Sequence, residues 1–162
     1  MDSLTHLRDA AKCSLVADLA RTFGEVRLKV TGTSMLPSVW PGDILTVRRR
    51  SAAELLPGQI VLCYRNQRLV AHRLMRKCGD RLITRGDSLP HYDRPFHKDQ
   101  VLGPVVSILR DGRAVALNPS LARQAVGFVL HRSDLAVRVT MGLHRRWRTA
   151  CLRARAETGV AA

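Results

Sequence analysis

A serine in a turn rich in glycine and proline is the first residue of this sequence whose surroundings suit chemistry. Ser34 stands in TGTSMLPSVWPGD, residues 31–43, where Gly32 precedes it and Pro37 restricts the chain just beyond it. A nucleophilic hydroxyl needs a position at the end of a rigid element, beside main-chain N–H groups that can stabilise an oxyanion. A serine in a turn more often only caps or shapes that turn. Ser34 is therefore a candidate nucleophile that needs a base to support it.

A serine nucleophile requires a general base, and the strand pattern favours His72. His72 lies in QRLVAHRLM, residues 67–75, where alternation places it on the same face as Val70 and Leu74. Lys77 follows five positions later and points to the opposite face. The other five histidines fall in helical or loop segments. A histidine alone in a strand is more often structural. His72 is a candidate base because the same sequence also contains a candidate serine nucleophile.

Two aspartates in one polar loop are candidates for orienting a histidine base. Asp87 and Asp93 lie in TRGDSLPHYDRP, residues 84–95, where Gly86 and Pro90 supply turn chemistry. A carboxylate beside a catalytic histidine fixes its tautomer and stabilises the imidazolium ion. The plainer interpretation is that both aspartates only cap turns. Both aspartates stay candidates at this point.

The four cysteines have the spacing of neither a metal site nor a redox pair. Cys13, Cys63, Cys78 and Cys151 form no CxxC motif and no Cys/His pair at metal-ligand spacing. Scattered thiols in a chain without an export signal are expected to be reduced and packed. We therefore expect no metal and no other cofactor.

Short runs with a period of two residues must position these candidate side chains. Seven such runs lie between residues 26 and 117, and each is bounded by Gly, Pro or Asp: VRLKV, DILTVR, GQIVLCY, QRLVAHRLM, DRLITR, VLGPVVSIL and RAVAL. Seven strands joined by tight turns predict a compact, mostly antiparallel β domain. The predicted fold class is therefore mostly β.

Helical periodicity replaces the strand pattern at both ends of the chain. Residues 4–23 carry apolar side chains at helical spacing, with Ser3 as the expected N-cap and Gly24 as the stop. Residues 135–151 repeat apolar side chains every four positions among many arginines. The predicted organisation is an N-terminal helix over 1–25, a β domain over 26–117 and a basic helical extension over 118–162.

The amino-acid composition is typical of a globular protein, but the chain has a large positive net charge. The 162 residues include 27 Lys or Arg and 13 Asp or Glu, for a net charge of +14. Such a balance raises nucleic acid and anionic membranes as partners. Aromatic residues make up only 4%, so the stacking rings of a single-strand binder are missing, which argues against nucleic acid. For the basic extension, two hypotheses stay open: peripheral contact with an anionic membrane, or packing of its apolar stripe on the β domain.

The sequence also predicts a cytoplasmic protein without a transmembrane helix. The longest apolar stretch, residues 101–109, has nine residues. That is about half of what a membrane-spanning helix needs. Asp2, Asp9 and Asp18 interrupt the N-terminal segment, unlike the apolar region of a secretory signal.

Taken in order, these segments resemble the serine peptidase superfamily of signal peptidases and LexA-like self-cleaving proteins. The segment around Ser34 is similar to the pattern GxSMxPxxxxGD, and three later segments follow in the family's order: GQIVLCY, VAHRLMRK and LITRGDSLPHYD. Where common bacterial signal peptidases and LexA-like proteins carry lysine, this chain carries His72. In this respect it resembles the Ser-His-Asp subgroup found in the endoplasmic reticulum, in archaea and in some spore-forming bacteria.

The resemblance implies a role for each candidate residue. Ser34 would be the nucleophile, His72 the general base and later the acid, and Asp93 the partner of His72. Asp87 would support Asp93 or shape the loop. The main-chain N–H of Ser34 would stabilise the oxyanion. The turn around the nucleophile comprises Gly32, Thr33, Met35 and Pro37.

The leading hypothesis is a serine endopeptidase that cleaves a peptide or protein precursor through an acyl-enzyme. The substrate would bind extended, as an added strand beside the serine. Two family features are not expected here: the membrane anchor of signal peptidases and the DNA-binding module of LexA-like regulators, for which the 25 residues before Val26 are too short. The second hypothesis is a non-catalytic peptide-binding or regulatory module whose basic tail contacts nucleic acid or anionic lipid. The presence of Ser34, His72 and both aspartates in one sequence favours the first hypothesis, the serine endopeptidase.

Overall fold

In the described part of the chain, one helix precedes eight strands. A computed structural model describes residues 2–117 and residue 142. The helix α1 spans Asp2–Phe23, and the strands are β1 (Glu25–Lys29), β2 (Ile44–Arg48), β3 (Ile60–Arg65), β4 (Arg68–Cys78), β5 (Arg81–Arg85), β6 (Phe96–His97), β7 (Val101–Arg110) and β8 (Arg113–Val115). Short 3₁₀ turns cover Ala52–Glu54 and Lys98–Gln100. All pairings are antiparallel, so the predicted mostly β, antiparallel fold class is confirmed.

The order of the strands along the sheet is β1-β2-β7-β3-β4-β5-β6, and β8 pairs with β7. The long strand β7 joins two halves, because its second part pairs with β2 and its first part pairs with β3. At the junction, Gly103 has a φ of +154°, and a Cβ atom there would lie 2.1 Å from the carbonyl oxygen of Arg48. Only glycine permits this close approach.

The seven predicted strand runs correspond to β1–β5, β7 and β8. The strand β6 was not predicted, because two residues are too few to show a period. It pairs with β5 through Leu82 and Phe96 and follows directly on the loop that carries Asp93. A short pairing therefore fixes the far end of the loop that carries both aspartate candidates.

Helix α1 begins earlier than the sequence predicts, and its small side chains face the core. It begins at Asp2, so Ser3 lies inside the helix and its prediction as the N-cap is wrong, because helical geometry continues past it toward the N-terminus. The stop at Gly24 is confirmed by a φ of +74° and by a hydrogen bond from its N–H to the carbonyl of Ala20. The helix packs through small side chains, including Ala17 and Ala20. The larger side chains of Leu15, Leu19 and Phe23 are exposed.

Two clusters of buried side chains support the sheet. The larger cluster packs α1 against β1, β2, β3 and β7, and it includes Met35 from the segment between β1 and β2. The smaller cluster lies on the other half of the sheet and comprises Leu55, Val61, Cys63, Leu74, Leu82 and Phe96. The strand β4 contributes Leu74 to the smaller cluster, and His72 precedes Leu74 on the same strand face.

The three described cysteines are free thiols in different surroundings. Burial raises the pKa of Cys63 to about 12, so this thiol stays protonated and packs as a small apolar group. Cys13 is partly buried. Cys78 is exposed, so the prediction that it is packed is wrong: β4 extends beyond the core there. Among the side chains that the structure describes, no group of three His, Cys, Asp or Glu residues could hold a metal ion.

The basic helical extension predicted over 118–162 lies outside the described residues, apart from residue 142. Its packing, its contact with an anionic membrane and the division of the chain into three parts stay predictions. No helix in the part of the chain that the structure describes is long and apolar enough to cross a membrane.

Candidate active site

The segment between β1 and β2 presents Ser34 from an anchored turn. Met35 and Leu36 are buried directly after it, while Ser34 itself is half-buried. The N–H of Leu36 donates to the carbonyl oxygen of Thr33 over 3.1 Å, and the Leu36–Pro37 peptide bond is cis. Buried neighbours therefore hold the turn in place, and the Ser34 residue keeps part of its exposure to solvent.

His72 lies between Ser34 and Asp93. Its Nε2 atom is 3.0 Å from Oγ of Ser34, and its Nδ1 atom is 2.6 Å from Oδ2 of Asp93. An ionised carboxylate can only accept a hydrogen bond, so Nδ1 carries the proton and Nε2 is left to accept from the serine hydroxyl. The His72 residue is 6% exposed, so protein surrounds most of this ring. The structure thus brings three of the predicted site residues into one hydrogen-bonded chain.

The carboxylate of Asp93 has two further polar partners. The hydroxyl of Thr84 donates to Oδ2, and the guanidinium of Arg65 lies 3.3 Å from Oδ1. Burial, the largest single influence, raises the pKa of Asp93, but the hydrogen bonds from His72 and Thr84 and the charges of His72 and Arg65 together outweigh it. The net result is a pKa below the ordinary value, so Asp93 is ionised at neutral pH.

Sequence reasoning missed Thr84 and Arg65. Thr84 occupies an inward position of β5, two residues after the buried Leu82, and a polar residue at such a position is a signal that could have been read. Arg65 also stacks over the ring of Phe96 at 5.2 Å and donates to the carbonyl of Arg94. Arg65 lies 29 residues from Arg94 in sequence, and no local pattern indicates its contacts with this loop.

Asp87 does not contact His72 and has other partners. Its carboxylate accepts two hydrogen bonds from Arg73, at 2.8 Å from Nε and 2.6 Å from an Nη atom, and a third from the hydroxyl of Ser38. Arg73 follows His72 on β4, and Ser38 belongs to the segment that carries Ser34. Asp87 therefore connects the strand of His72 to the turn that carries Ser34.

The residues on both sides of Asp87 directly contact the turn that carries Ser34. The N–H of Ser88 donates to the carbonyl of Ser34 over 3.0 Å, and its hydroxyl donates to the carbonyl of Thr33, also over 3.0 Å. A Cβ atom on Gly86 would lie 2.6 Å from the carbonyl oxygen of Ser34. Sequence reasoning assigned no role to Ser88.

Asp43 anchors the far end of the segment that carries Ser34. This residue is 2% exposed and accepts two hydrogen bonds from Arg110, at 2.9 and 2.7 Å, and one from the N–H of Trp40. Asp43 thus belongs to the turn that leads into β2, and its ion pair with Arg110 joins this turn to β7.

Two further features bear on the chemistry that the turn can support. None of the described residues accepts a hydrogen bond from the main-chain N–H of Ser34. Gly32 offers no side-chain donor, and a Cβ atom there would meet nothing within 4 Å, so the space beside the turn is open. Lys77, as predicted, points away and donates to the carbonyls of Ala53 and Leu55.

A comparison with models of protein families agrees with this architecture. The family model described as Peptidase S24-like matches residues 12–106, which include the serine, the histidine and both aspartates of the site. No curated protein matches the chain.

Proposed function

This chain belongs to the Peptidase S24-like family, and from that premise we propose that it is a serine endopeptidase that cleaves a peptide or protein precursor. The observation that carries the proposal is the hydrogen-bonded chain from Oγ of Ser34 through His72 to Asp93. A hydroxyl within reach of an imidazole that a carboxylate orients is the arrangement that activates a serine nucleophile.

In the first half of the proposed reaction, Oγ of Ser34 attacks the scissile carbonyl carbon while Nε2 of His72 takes the hydroxyl proton. A C–O bond forms, and the π electrons of the carbonyl move to its oxygen. The main-chain N–H of Ser34 donates to this oxyanion. The imidazolium of His72 then gives its proton to the leaving amine, the C–N bond breaks, and an acyl-enzyme remains.

In the second half, water attacks the acyl-enzyme in the same geometry. His72 takes a proton from the water, and the tetrahedral intermediate collapses as Oγ of Ser34 leaves and regains the proton from His72. Asp93 stays ionised throughout and stabilises the imidazolium in both halves. The Arg65 guanidinium and the Thr84 hydroxyl support its charged form.

The base in this proposal is histidine, as in the Ser-His-Asp subgroup of signal peptidases that the sequence resembles. His72 is within hydrogen-bonding distance of the serine, whereas the ammonium of Lys77 donates to main-chain carbonyls of residues 53 and 55. The geometry therefore favours the His-based mechanism over a Ser-Lys dyad. Asp93 is the proposed orienting carboxylate, and Asp87 is a supporting residue.

The proposed substrate is a peptide segment that binds in an extended conformation. The strand β1 stands at one end of the strand order, and the chain runs from it through residues 30–33 to Ser34. An edge strand offers main-chain groups to which an extended peptide can pair, which would lay the scissile bond beside the nucleophile.

A fluorophosphonate probe followed by mass spectrometry of the labelled peptide tests this function. We expect covalent labelling of Ser34 in the wild type and none in Ser34→Ala or His72→Ala, with circular dichroism unchanged in both variants. Incubation with candidate precursor peptides should then give cleavage that Ser34→Ala lacks. Absence of labelling in the folded wild type would favour the alternative, a non-catalytic peptide-binding module.

A further inference from the structure

The carbonyl oxygen of Thr33 accepts hydrogen bonds from two directions. The N–H of Leu36 donates from within the turn at 3.1 Å, and the hydroxyl of Ser88 donates from the loop after β5 at 3.0 Å. This carbonyl belongs to the same planar peptide unit as the N–H of Ser34. Whatever fixes the direction of the Thr33 carbonyl therefore fixes the direction of the Ser34 N–H on its opposite side.

We propose that Ser88 is a positioning residue that orients and polarises the main-chain N–H that binds the oxyanion. This inference rests on the proposed function, in which that N–H belongs to Ser34. A hydrogen bond donated to a peptide carbonyl draws electron density away from the peptide nitrogen, which makes the N–H of the same unit a stronger donor. A donor held in its final direction before the reaction needs no reorganisation in the transition state.

Ser88 also holds the peptide unit on the other side of the nucleophile. Its own N–H donates to the carbonyl of Ser34 over 3.0 Å. The two peptide units that flank the Cα atom of Ser34 are therefore both tied to one residue, which restricts φ and ψ of the nucleophile and hence the direction of Oγ. Ser88 is 9% exposed, so water competes little for these contacts.

The neighbours of Ser88 fix its position in turn. Asp87 forms the two-pronged ion pair with Arg73 and accepts from Ser38, with side-chain exposures of 15% for Asp87 and 12% for Arg73. Gly86 lies so close to the carbonyl of Ser34 that a Cβ atom would collide with it. The Gly86–Ser88 turn thus couples the strand of His72 to the peptide unit that binds the oxyanion.

The test compares variants that keep or remove the hydroxyl of residue 88. In Ser88→Ala we expect kcat on a cleaved reporter peptide to fall about ten-fold, the effect of losing one neutral hydrogen bond that acts on the transition state. KM and the pH profile of kcat should stay unchanged, because the substrate and the His72–Asp93 pair are not touched. Ser88→Thr should restore kcat, and Ser88→Val, which has the shape of threonine without the hydroxyl, should not.

A second measurement does not depend on activity. In ¹H–¹⁵N spectra, the amide proton of Ser34 should move upfield in Ser88→Ala and Ser88→Val and stay near its wild-type position in Ser88→Thr. Ser51→Ala is the matched control, since it removes a serine that caps the 3₁₀ turn at Ala52–Glu54. It should change neither kcat nor the Ser34 resonance.

The outcomes separate this inference from the proposed function. Wild-type protein that reacts with a fluorophosphonate at Ser34, with kcat of Ser88→Ala within two-fold of wild type and an unshifted Ser34 amide, would overturn the inference alone. A rise in KM with kcat unchanged would overturn it as well, because it would place Ser88 in substrate binding. A folded wild type that the probe does not label would overturn the proposed function, and the inference with it.

Discussion

Nδ1 of His72 lies 2.6 Å from a carboxylate oxygen of Asp93. Of the two aspartates in the loop after β5, one therefore meets the imidazole, while the other, Asp87, meets Arg73 and Ser38. The two carboxylates lie six residues apart in sequence but belong to different hydrogen-bond networks. Their replacement should consequently have different effects.

Replacing Asp93 by Asn should mainly damage the chemistry. The amide cannot stabilise an imidazolium ion and favours the wrong tautomer of His72, so the rate of fluorophosphonate labelling at Ser34 should fall by about 10³- to 10⁴-fold. The control is Asp99→Asn, whose carboxylate is 79% exposed and lies 3.1 Å from Nδ1 of His97, its one close ionisable partner among the described residues. A labelling rate of Asp93→Asn close to that of the control would contradict the proposed role.

Replacing Asp87 by Asn should mainly reduce stability. The change leaves the guanidinium of Arg73 without its carboxylate in a largely buried site, and the free energy of unfolding should fall by about 2–4 kcal/mol. Urea denaturation measures this loss. Labelling of Ser34 should fall far less than in Asp93→Asn. An unchanged stability together with abolished labelling would mean that Asp87, and not Asp93, serves His72.

The ionisation of Asp93 should make stability depend on pH. Its pKa is below the ordinary value of about 3.9 in the folded protein, while the unfolded chain keeps that value. The ionised carboxylate therefore stabilises the fold fully above about pH 4, and this contribution is lost as pH falls through the folded-state pKa. The difference in unfolding free energy between the wild type and Asp93→Asn should shrink below pH 4. A difference that stays constant from pH 7 to pH 2.5 would contradict this linkage.

The fold and the core of the site could be predicted because they depend on local patterns. Alternation of apolar residues gave seven of the eight strands and placed His72 on an inward face, away from Lys77. The Gly and Pro residues around Ser34 predicted a turn after β1, as the structure has it. The resemblance to the superfamily of signal peptidases and LexA-like proteins then indicated that Ser34, His72 and Asp93 should lie together.

The other contacts of the site could not be predicted, because they join segments that are distant in sequence. Ser88 reaches the nucleophile turn across 55 residues, and Arg65 reaches Asp93 across 28. Nothing near either residue in sequence indicates its partner. The helix shows a related limit, because periodicity predicts an apolar face but does not tell which face packs: the alanines of α1 contact the core, and Phe23 is 73% exposed.

The close packing of Gly86 against the nucleophile turn gives a steric prediction. A Cβ atom at this position would lie 2.6 Å from the carbonyl oxygen of Ser34 and 2.9 Å from the side chain of Leu89. Leu89 is an exposed side chain that can move, but the Ser34 carbonyl is main chain and already accepts from Ser88. Gly86→Ala must therefore displace the loop or the turn, at a cost of about 1–3 kcal/mol in unfolding free energy.

Gly32 supplies the matched control for this substitution. It belongs to the same segment as the nucleophile, yet a Cβ atom there would meet nothing within 4 Å. Gly32→Ala should keep the wild-type unfolding midpoint, because a surface substitution usually changes the free energy of unfolding by no more than about 0.5 kcal/mol. Gly86→Ala should lower both the midpoint and the rate of Ser34 labelling, because the turn that carries the hydroxyl moves away from His72. Equal midpoints and equal labelling rates for the two variants would show that the contact between the Gly86–Ser88 turn and the nucleophile does not constrain the site.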